Sequence, residues 1–400
     1  MPDPVGALAG LKVLDCTHVI AGAYCSMVLA DLGADVVKIE PPAGESTRGM
    51  LGLRADAFRA FDHVNRNKRA IALDLSTEAG ANVVRRLAET ADVFVENYRP
   101  GALDRMGLGY DQLAAINPRL VYCSVSGFGL DGPYRGRGGF DLVTQAMSGI
   151  MSFVGEAGSE VPCSTAVPIS DLNAGVFAAV GVLAALQSRN ATGKGQHVET
   201  SLLESALAYT IWETGMYLST GEVAKRNGAR HRLAAPYEPL KTADGHIVVG
   251  VNSQRLWSRF CRAIEAPELA DEAGFDSPSG RMKNRDALQV RLEGVLAREP
   301  GAYWLARLEA EGVPAGPLND IAQAWDDPQI KARGLLGEAG GRRFVKTPIK
   351  LHDTPVRLTR GPAEVGQDTR EVLAESGFAS DEIEALIASG AAAVQREVPA

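Results

Sequence analysis

Leu11-Lys-Val-Leu-Asp-Cys-Thr17, the small and apolar stretch Ala21 to Leu32, and Ala34-Asp-Val-Val-Lys-Ile-Glu40 together decide the fold. The first and third are short runs rich in β-branched residues, and the second has the length and composition of a helix, so the unit reads strand, helix, strand. Pro41-Pro42 stops the second strand. Outward from this unit the rhythm continues. Arg69-Ala-Ile-Ala-Leu-Asp-Leu75 is a third strand, and Glu78–Thr90 a helix with Val83, Val84 and Leu87 on one face. Asp92-Val-Phe-Val-Glu-Asn97 is a fourth strand, Tyr110–Ile116 a helix and Leu120-Val-Tyr-Cys-Ser-Val125 a fifth strand. Strands separated by helices in this way predict an α/β fold: a doubly wound, mainly parallel, Rossmann-like sheet with helices on both faces. Such sheets bind ligands beyond the carboxyl ends of their strands.

A glycine-rich loop over residues 129–139 then leads to a helix near Phe140–Ser148. A long helix is expected from Leu172 to about Arg189. The Gly193-Lys194-Gly195 turn returns the chain through Gln196–Thr200 into one further helix, Leu202–Leu218. From Lys225 the character changes to short strands such as His246–Gly250 and separate helices at Leu256–Ile264, Arg285–Leu296 and Tyr303–Glu311. The expected organisation is a large domain from residues 1–200 and 335–400, a linker helix at 201–224 and a smaller α+β domain at 225–334. The tail Gly366–Ser389, a polar turn and two helices, is expected to dock on the large domain.

The chain has 400 residues, too many for one core of usual size, with 46% hydrophobic and 22% charged residues. A net charge of −8 argues against a nucleic-acid partner and leaves any anionic ligand to local arginines and lysines. No apolar run approaches the ~20 residues of a membrane span, so no membrane partner is expected. Met1-Pro2-Asp3-Pro4 lacks the positive cluster and apolar run of a secretory signal. The five cysteines are scattered, with no CxxC or HxH pair, so the expectation is free thiols in a reducing cytoplasm, no disulfide framework and no metal.

Several motifs fail on inspection. The first strand-to-helix turn, Thr17-His-Val-Ile-Ala-Gly-Ala23, lacks GxGxxG, which leaves a nicotinamide- or flavin-dependent oxidoreductase with only Glu40 as a ribose-binding acid. Glu40 at a strand end reads more often as a solvated carboxylate. Ala191-Thr-Gly-Lys-Gly-Gln196 has no Ser or Thr after the lysine and no preceding strand, so it is a tight turn rather than a phosphate loop. No GxSxG elbow is present. His18 is open to two readings, a ligand contact or general base and a structural histidine.

Pro168-Ile-Ser170-Asp171-Leu-Asn-Ala-Gly175 opens the long helix. Asp171 reads in two ways. It can cap the helix and sit in the positive end of the dipole. Alternatively, a carboxylate kept ionised there can attack a thioester, giving a mixed anhydride that preserves acyl activation without ATP. Arg137-Gly-Gly-Phe140 could present backbone N–H groups to the developing oxyanion.

With these residues in view, the chain resembles the class III CoA-transferases, a family that includes formyl-CoA transferase, carnitine CoA-transferase and the 2-methylacyl-CoA racemases. The resemblance runs through Gly10-Leu-Lys-Val-Leu-Asp15, Asp31-Leu-Gly-Ala-Asp-Val-Val-Lys-Ile-Glu40, Asn67-Lys-Arg69 and Val95-Glu-Asn-Tyr-Arg-Pro-Gly101. It continues in Gly127-Phe-Gly129, Asp171 with Gly175, Thr192-Gly-Lys-Gly-Gln196 and Gly366-Gln-Asp-Thr369. The joint order and spacing of these motifs carry the resemblance. It implies an interlocked homodimer whose substrates are an acyl-CoA and a carboxylic acid, with coenzyme A as substrate and no tightly bound cofactor. The family's nucleophilic aspartate matches Asp171. Family positions near the CoA match His18, Ala21, Leu73, Asp74, Asn97, Tyr98 and Arg99; Arg105 matches a basic position at the nucleotide phosphates. Gly138, Gly139 and Phe140 match the loop beside the thioester.

The resemblance also has departures. Pro41 stands where many relatives carry a basic residue facing the adenine. No tetraglycine loop occurs around Pro236–Val251, which argues against the oxalate or formate chemistry of formyl-CoA transferase. The racemase histidine position matches Phe140, which cannot exchange a proton, and a supporting glutamate position falls near Ser253. The expected activity is therefore CoA transfer to a small dicarboxylate or related acid through an acyl-aspartyl anhydride and an aspartyl-CoA thioester on Asp171. The alternatives are a 2-methylacyl-CoA racemase and a non-catalytic CoA-binding protein.

Overall fold

A computed structural model describes residues 6–49 and 59–395; Met1–Pro4, read above for a signal, lie outside the described residues. The first compact unit takes its described residues from 1–150, 164–221 and 334–400, the second from 151–163 and 222–333.

The first unit is built on strands β1 (Lys12–Cys16), β2 (Asp35–Glu40), β3 (Arg69–Leu73), β4 (Val93–Glu96), β5 (Val121–Ser126) and β6 (His197–Ser201). They lie in the order β3-β2-β1-β4-β5-β6 and are all parallel, the doubly wound order with its crossover between β1 and β4. A short strand, Ala392–Ala393, adds antiparallel to β3. The crossings include α1 (Ala21–Asp31), α2 (Glu78–Ala88), α3 (Ala102–Arg105), α4 (Tyr110–Ile116) and α5 (Asp141–Met147); after a short α6 (Ile150–Phe153), which falls mostly in the second unit, comes α7 (Ile169–Thr192). Side chains alternate across each strand, so Val13, Val36, Val93 and Val121 pack under α1 and α7. Leu14, Val37, Phe94 and Tyr122 face the opposite way, toward α2, α4 and the C-terminal helices Thr369–Glu375 and Ser380–Ala388. Both faces of the sheet are thereby covered, as a parallel sheet requires.

Helix α7 amends one sequence expectation. It is 24 residues long with a mean hydropathy of 1.8, enough by length and composition to cross a membrane, and half of its apolar window is buried. Its small residues Ala174, Ala178 and Ala185 let it lie close on α1 and the sheet, as a core helix does. Two further differences follow from packing. Gln196–Thr200, read as a connection, forms most of parallel strand β6. The single helix expected over 202–218 is two, α8 (Leu202–Ala208) and α9 (Ile211–Thr220), parted at Tyr209 and Thr210.

The second unit holds a three-stranded antiparallel sheet, β7 (Tyr237–Lys241), β8 (His246–Gly250) and β9 (Ala315–Pro317). Its core gathers Trp257, Phe260, Leu292 and Trp304. The five cysteines are unpaired thiols, four of them buried.

Candidate active site

Asp171 is the third residue of α7 and is half-buried. Pro168 at the N-cap offers no side-chain cap. The Ser170 N–H instead donates to Asp141 Oδ1, on α5, at 2.8 Å. Asp141 Oδ2 accepts from Gln145 Nε2 at 2.7 Å, and Gln145 Oε1 accepts from the Thr165 N–H and hydroxyl at 3.1 and 3.2 Å. The orphan amide of the helix start is thus satisfied from a neighbouring helix. Among the described residues the Asp171 carboxylate takes part in no hydrogen bond or ion pair. Burial, and then the charge of Asp141, push its pKa up to about 7. This differs from the ionised carboxylate expected from the dipole alone. The dipole is worth about 0.3–1 kcal/mol, too little to outweigh lost hydration and a like charge.

The start of α1, just after the β1–α1 turn, meets α7 one helical turn beyond this acid. An added Cβ on Gly175, one helical turn after Asp171, would lie 2.6 Å from Ala21 O and 3.1 Å from Tyr24 Cβ. Only glycine allows α7 to meet the start of α1 this closely. The His18 N–H donates to Asn97 Oδ1 and its carbonyl accepts from Asn97 Nδ2, both at 2.7 Å. Its ring meets Tyr98 edge-on at 4.7 Å, and burial and then Lys38 lower its pKa, favouring neutral imidazole. Burial pushes the Tyr98 phenol well above its ordinary range.

Beneath the turn lies a buried ionic cluster. Lys68 Nζ donates to Asp15 Oδ2 at 2.8 Å and to Ala23 O and Asn65 Oδ1 at 2.9 and 2.7 Å. Burial alone would lift the Asp15 carboxyl, but Lys38 and Lys68 hold it well below the usual range. Removing either member of such a buried pair typically costs about 3–5 kcal/mol. Glu40, open above to a ribose-binding reading or a solvated one, is neither. It is buried and bound bidentately by Arg48 at 2.6 and 2.7 Å.

The loop after β5 completes the surroundings. Backbones at Gly127 and Gly139 touch so closely that a Cβ on Gly139 would sit 2.5 Å from Gly127 Cα. A Cβ on Gly138 would lie 3.4 Å from Arg99 Nη2, so this guanidinium stands against the loop. Phe140 is the N-cap of α5, 71% exposed and next to the acid that caps α7. Contacts therefore join Arg99 to the Gly138–Asp141 segment, Asp141 to Ser170 beside Asp171, Gly175 of α7 to Ala21, and His18 to Asn97. Arg99, Arg105 and Arg135 are exposed and, among the described residues, form no ion pair. Arg99 and Arg135 line a cavity of ≈ 630 Å³ with Glu96 and His197. Burial pushes Glu96 up to about 7.

Two assigned positions need qualification. Leu73 is a fully buried core residue, so its side chain presents nothing to a ligand. Asp74, just past β3, spends its Oδ1 on the Ser76 N–H and hydroxyl at 3.0 and 2.6 Å. Sequence reasoning missed Asp141 and Glu45. Asp141 follows Phe140 at a helix start, but nothing in the chain order points it at Ser170.

The model of CoA-transferase family III matches residues 8–369. The chain belongs to that family. It is 39% identical, over 88% of its length and 91% of the relative's, to acetyl-CoA:oxalate CoA-transferase of Acetobacter aceti. Against succinyl-CoA:glutarate CoA-transferase of Mus musculus it is 36% identical over 97% of this chain and 91% of that one. The crystal structure of a CAIB/BAIF family protein from Brucella suis superposes with a TM-score of 0.84 at 36% identity, covering 93% of this chain and 100% of that chain. The family is one of enzymes, and its solved members share this α/β fold with a mainly parallel central sheet.

Proposed function

We propose that this enzyme moves CoA from an acyl-CoA to a free carboxylic acid through covalent intermediates on Asp171. The observation that carries the reading is the Asp171 carboxylate, relieved of capping by Asp141 and without a hydrogen bond among the described residues. The carboxylate oxygen attacks the thioester carbonyl, the C–S bond breaks, and an acyl-aspartyl anhydride and CoA thiolate result. The thiolate then attacks the Asp171 carbonyl, releasing the donor acid and leaving an aspartyl-CoA thioester. The acceptor carboxylate attacks that thioester, the C–S bond breaks to give a second aspartyl anhydride and CoA thiolate, and the thiolate attacks the acceptor's carbonyl, releasing the new CoA ester and the Asp171 carboxylate. The N–H groups of Gly138 and Gly139, which have no backbone hydrogen-bond partner among the described residues, are donors for the oxyanion. Unpaired Arg99 and Arg105 suit the CoA phosphates by charge and planar geometry.

Small dicarboxylates are the proposed acids, supported by relatives named for glutarate and mesaconate. A homodimer is part of the reading, as is a reducing, cytoplasmic setting that fits the unpaired cysteines. The test is a screen of acyl-CoA donors against succinate, glutarate, mesaconate and oxalate, with new CoA esters followed by mass. Transfer to at least one of these acids supports the reading. Rapid deuterium uptake from heavy water into 2-methylacyl-CoA, with no transfer to any acid, would instead establish the racemase.

A further inference from the structure

Val19 has φ +62°, a left-handed conformation that a β-branched residue very rarely adopts. Such strain persists only where the surroundings over-determine it. Here the backbone groups from Thr17 O to the Val19 N–H are each held by a side chain. Lys38 Nζ donates to Thr17 O at 2.9 Å, Asn97 holds both polar groups of His18, and Glu45 Oε2 accepts the Val19 N–H at 3.0 Å. Helix α1, which follows, has no side-chain cap of its own.

We propose that Glu45 is a positioning residue that holds Val19 left-handed and thereby sets the turn carrying His18 and Ala21 for coenzyme A. The proposal rests on the reading above that this turn meets the CoA. Its observations are independent of that reading. The Glu45 side chain is fully buried, yet among the described residues its Oε1 has no hydrogen-bond partner. A buried carboxylate so placed is destabilising unless the bond it does make is needed. Lys38 Nζ forms an ion pair with Glu45 Oε2 at 3.9 Å but is too far for a hydrogen bond, which it gives to Thr17 O, so the one hydrogen bond the carboxylate accepts from this turn is that of the Val19 N–H. Glu45 is itself fixed. Its N–H donates to Glu40 Oε2 at 3.1 Å, Glu40 is held by Arg48, and Arg48 lies 3.6 Å over the Phe61 ring.

The experiment uses the full chain with Glu45→Ala, Glu45→Gln and the double variant Glu45→Ala/Val19→Gly. Calorimetric affinity for coenzyme A itself and the NMR resonances of the His18 ring are the two readouts. Losing a bond to a charged acceptor should weaken CoA about tenfold or more in Glu45→Ala and move the His18 resonances. Glycine takes φ +62° without strain, so the double variant should bring the resonances back and recover affinity to within about threefold. Glu45→Gln keeps an amide oxygen for the Val19 N–H and should stay within about threefold of wild type, which keeps the test decisive if the alanine variant does not fold. The proposal is overturned by unmoved resonances in Glu45→Ala, by failure of Val19→Gly to restore them, or by a folded Glu45→Gln as weak as the alanine variant. Resonances that move and are restored while CoA affinity never changes would uphold the clamp and remove CoA from this turn.

Discussion

Above neutrality the Asp171 carboxylate is charged, yet it sits half-buried beside Asp141 with no hydrogen bond among the described residues to offset its lost hydration. Its pKa of about 7 in the fold, against an ordinary 3.8, means that the folded state keeps a proton the unfolded chain has released between those values. Stability therefore falls as pH rises from about 4 to about 7, and the loss is complete above the folded pKa. Asp171→Asn removes that term. It should raise the denaturation free energy above neutrality by on the order of 1–3 kcal/mol while leaving it nearly unchanged near pH 4. Glu96 titrates in the same range, so the difference between variant and wild type, rather than either curve alone, is the quantity to measure. Transfer in the wild type should rise with pH through about 7, because the ionised carboxylate is the attacking form. A melting curve in which Asp171→Asn is less stable at every pH would assign the residue to capping after all.

Helix α7 packs against α1, and at Gly175 its backbone runs close to Ala21 O. A methyl group there meets a backbone carbonyl, which has little room to yield, so Gly175→Ala should cost about 1–3 kcal/mol in chemical denaturation. An unaltered midpoint would show that the helices slide freely. The end of α3 carries Arg105, exposed and without an ion pair among the described residues. Arg105→Ala should raise KM for the acyl-CoA about tenfold with kcat little changed, the signature of binding lost equally in ground and transition states. A large fall in kcat at saturating donor would place Arg105 at the reacting carbonyl. The main-sheet elements through β5 were legible because period-2 and period-3.6 patterns are local. The split between α8 and α9 at Thr210 was not, because Thr210 answers Leu207 O and Thr214 Oγ1 through its own hydroxyl, a local choice with no hydropathy signature. Nor was the Asp141–Ser170 bond, which exists only once α5 and α7 have packed.

At the scale of the molecule, α9 buries none of its residues, and Ile211, Trp212 and Leu218 are 66, 69 and 76% exposed. Phe177 and Val180 of α7 are exposed as well, with the Phe177 ring edge-on to Tyr209 just before α9, and apolar side chains left uncovered in this way mark a partner. If the proposed homodimer covers them, Trp212→Glu with Leu218→Glu should shift the mass in light scattering from dimer to monomer. Persistence of the dimer would move the interface elsewhere. The sharpest test of the whole account is chemical trapping at one residue. The enzyme is incubated with succinyl-CoA and hydroxylamine, digested, and its peptides are weighed and sequenced by mass spectrometry. A hydroxamate at Asp171, formed only when the acyl-CoA is present, is the predicted result. Transfer that proceeds at an undiminished rate with no modification of Asp171, or that survives in Asp171→Ala, would contradict the covalent route.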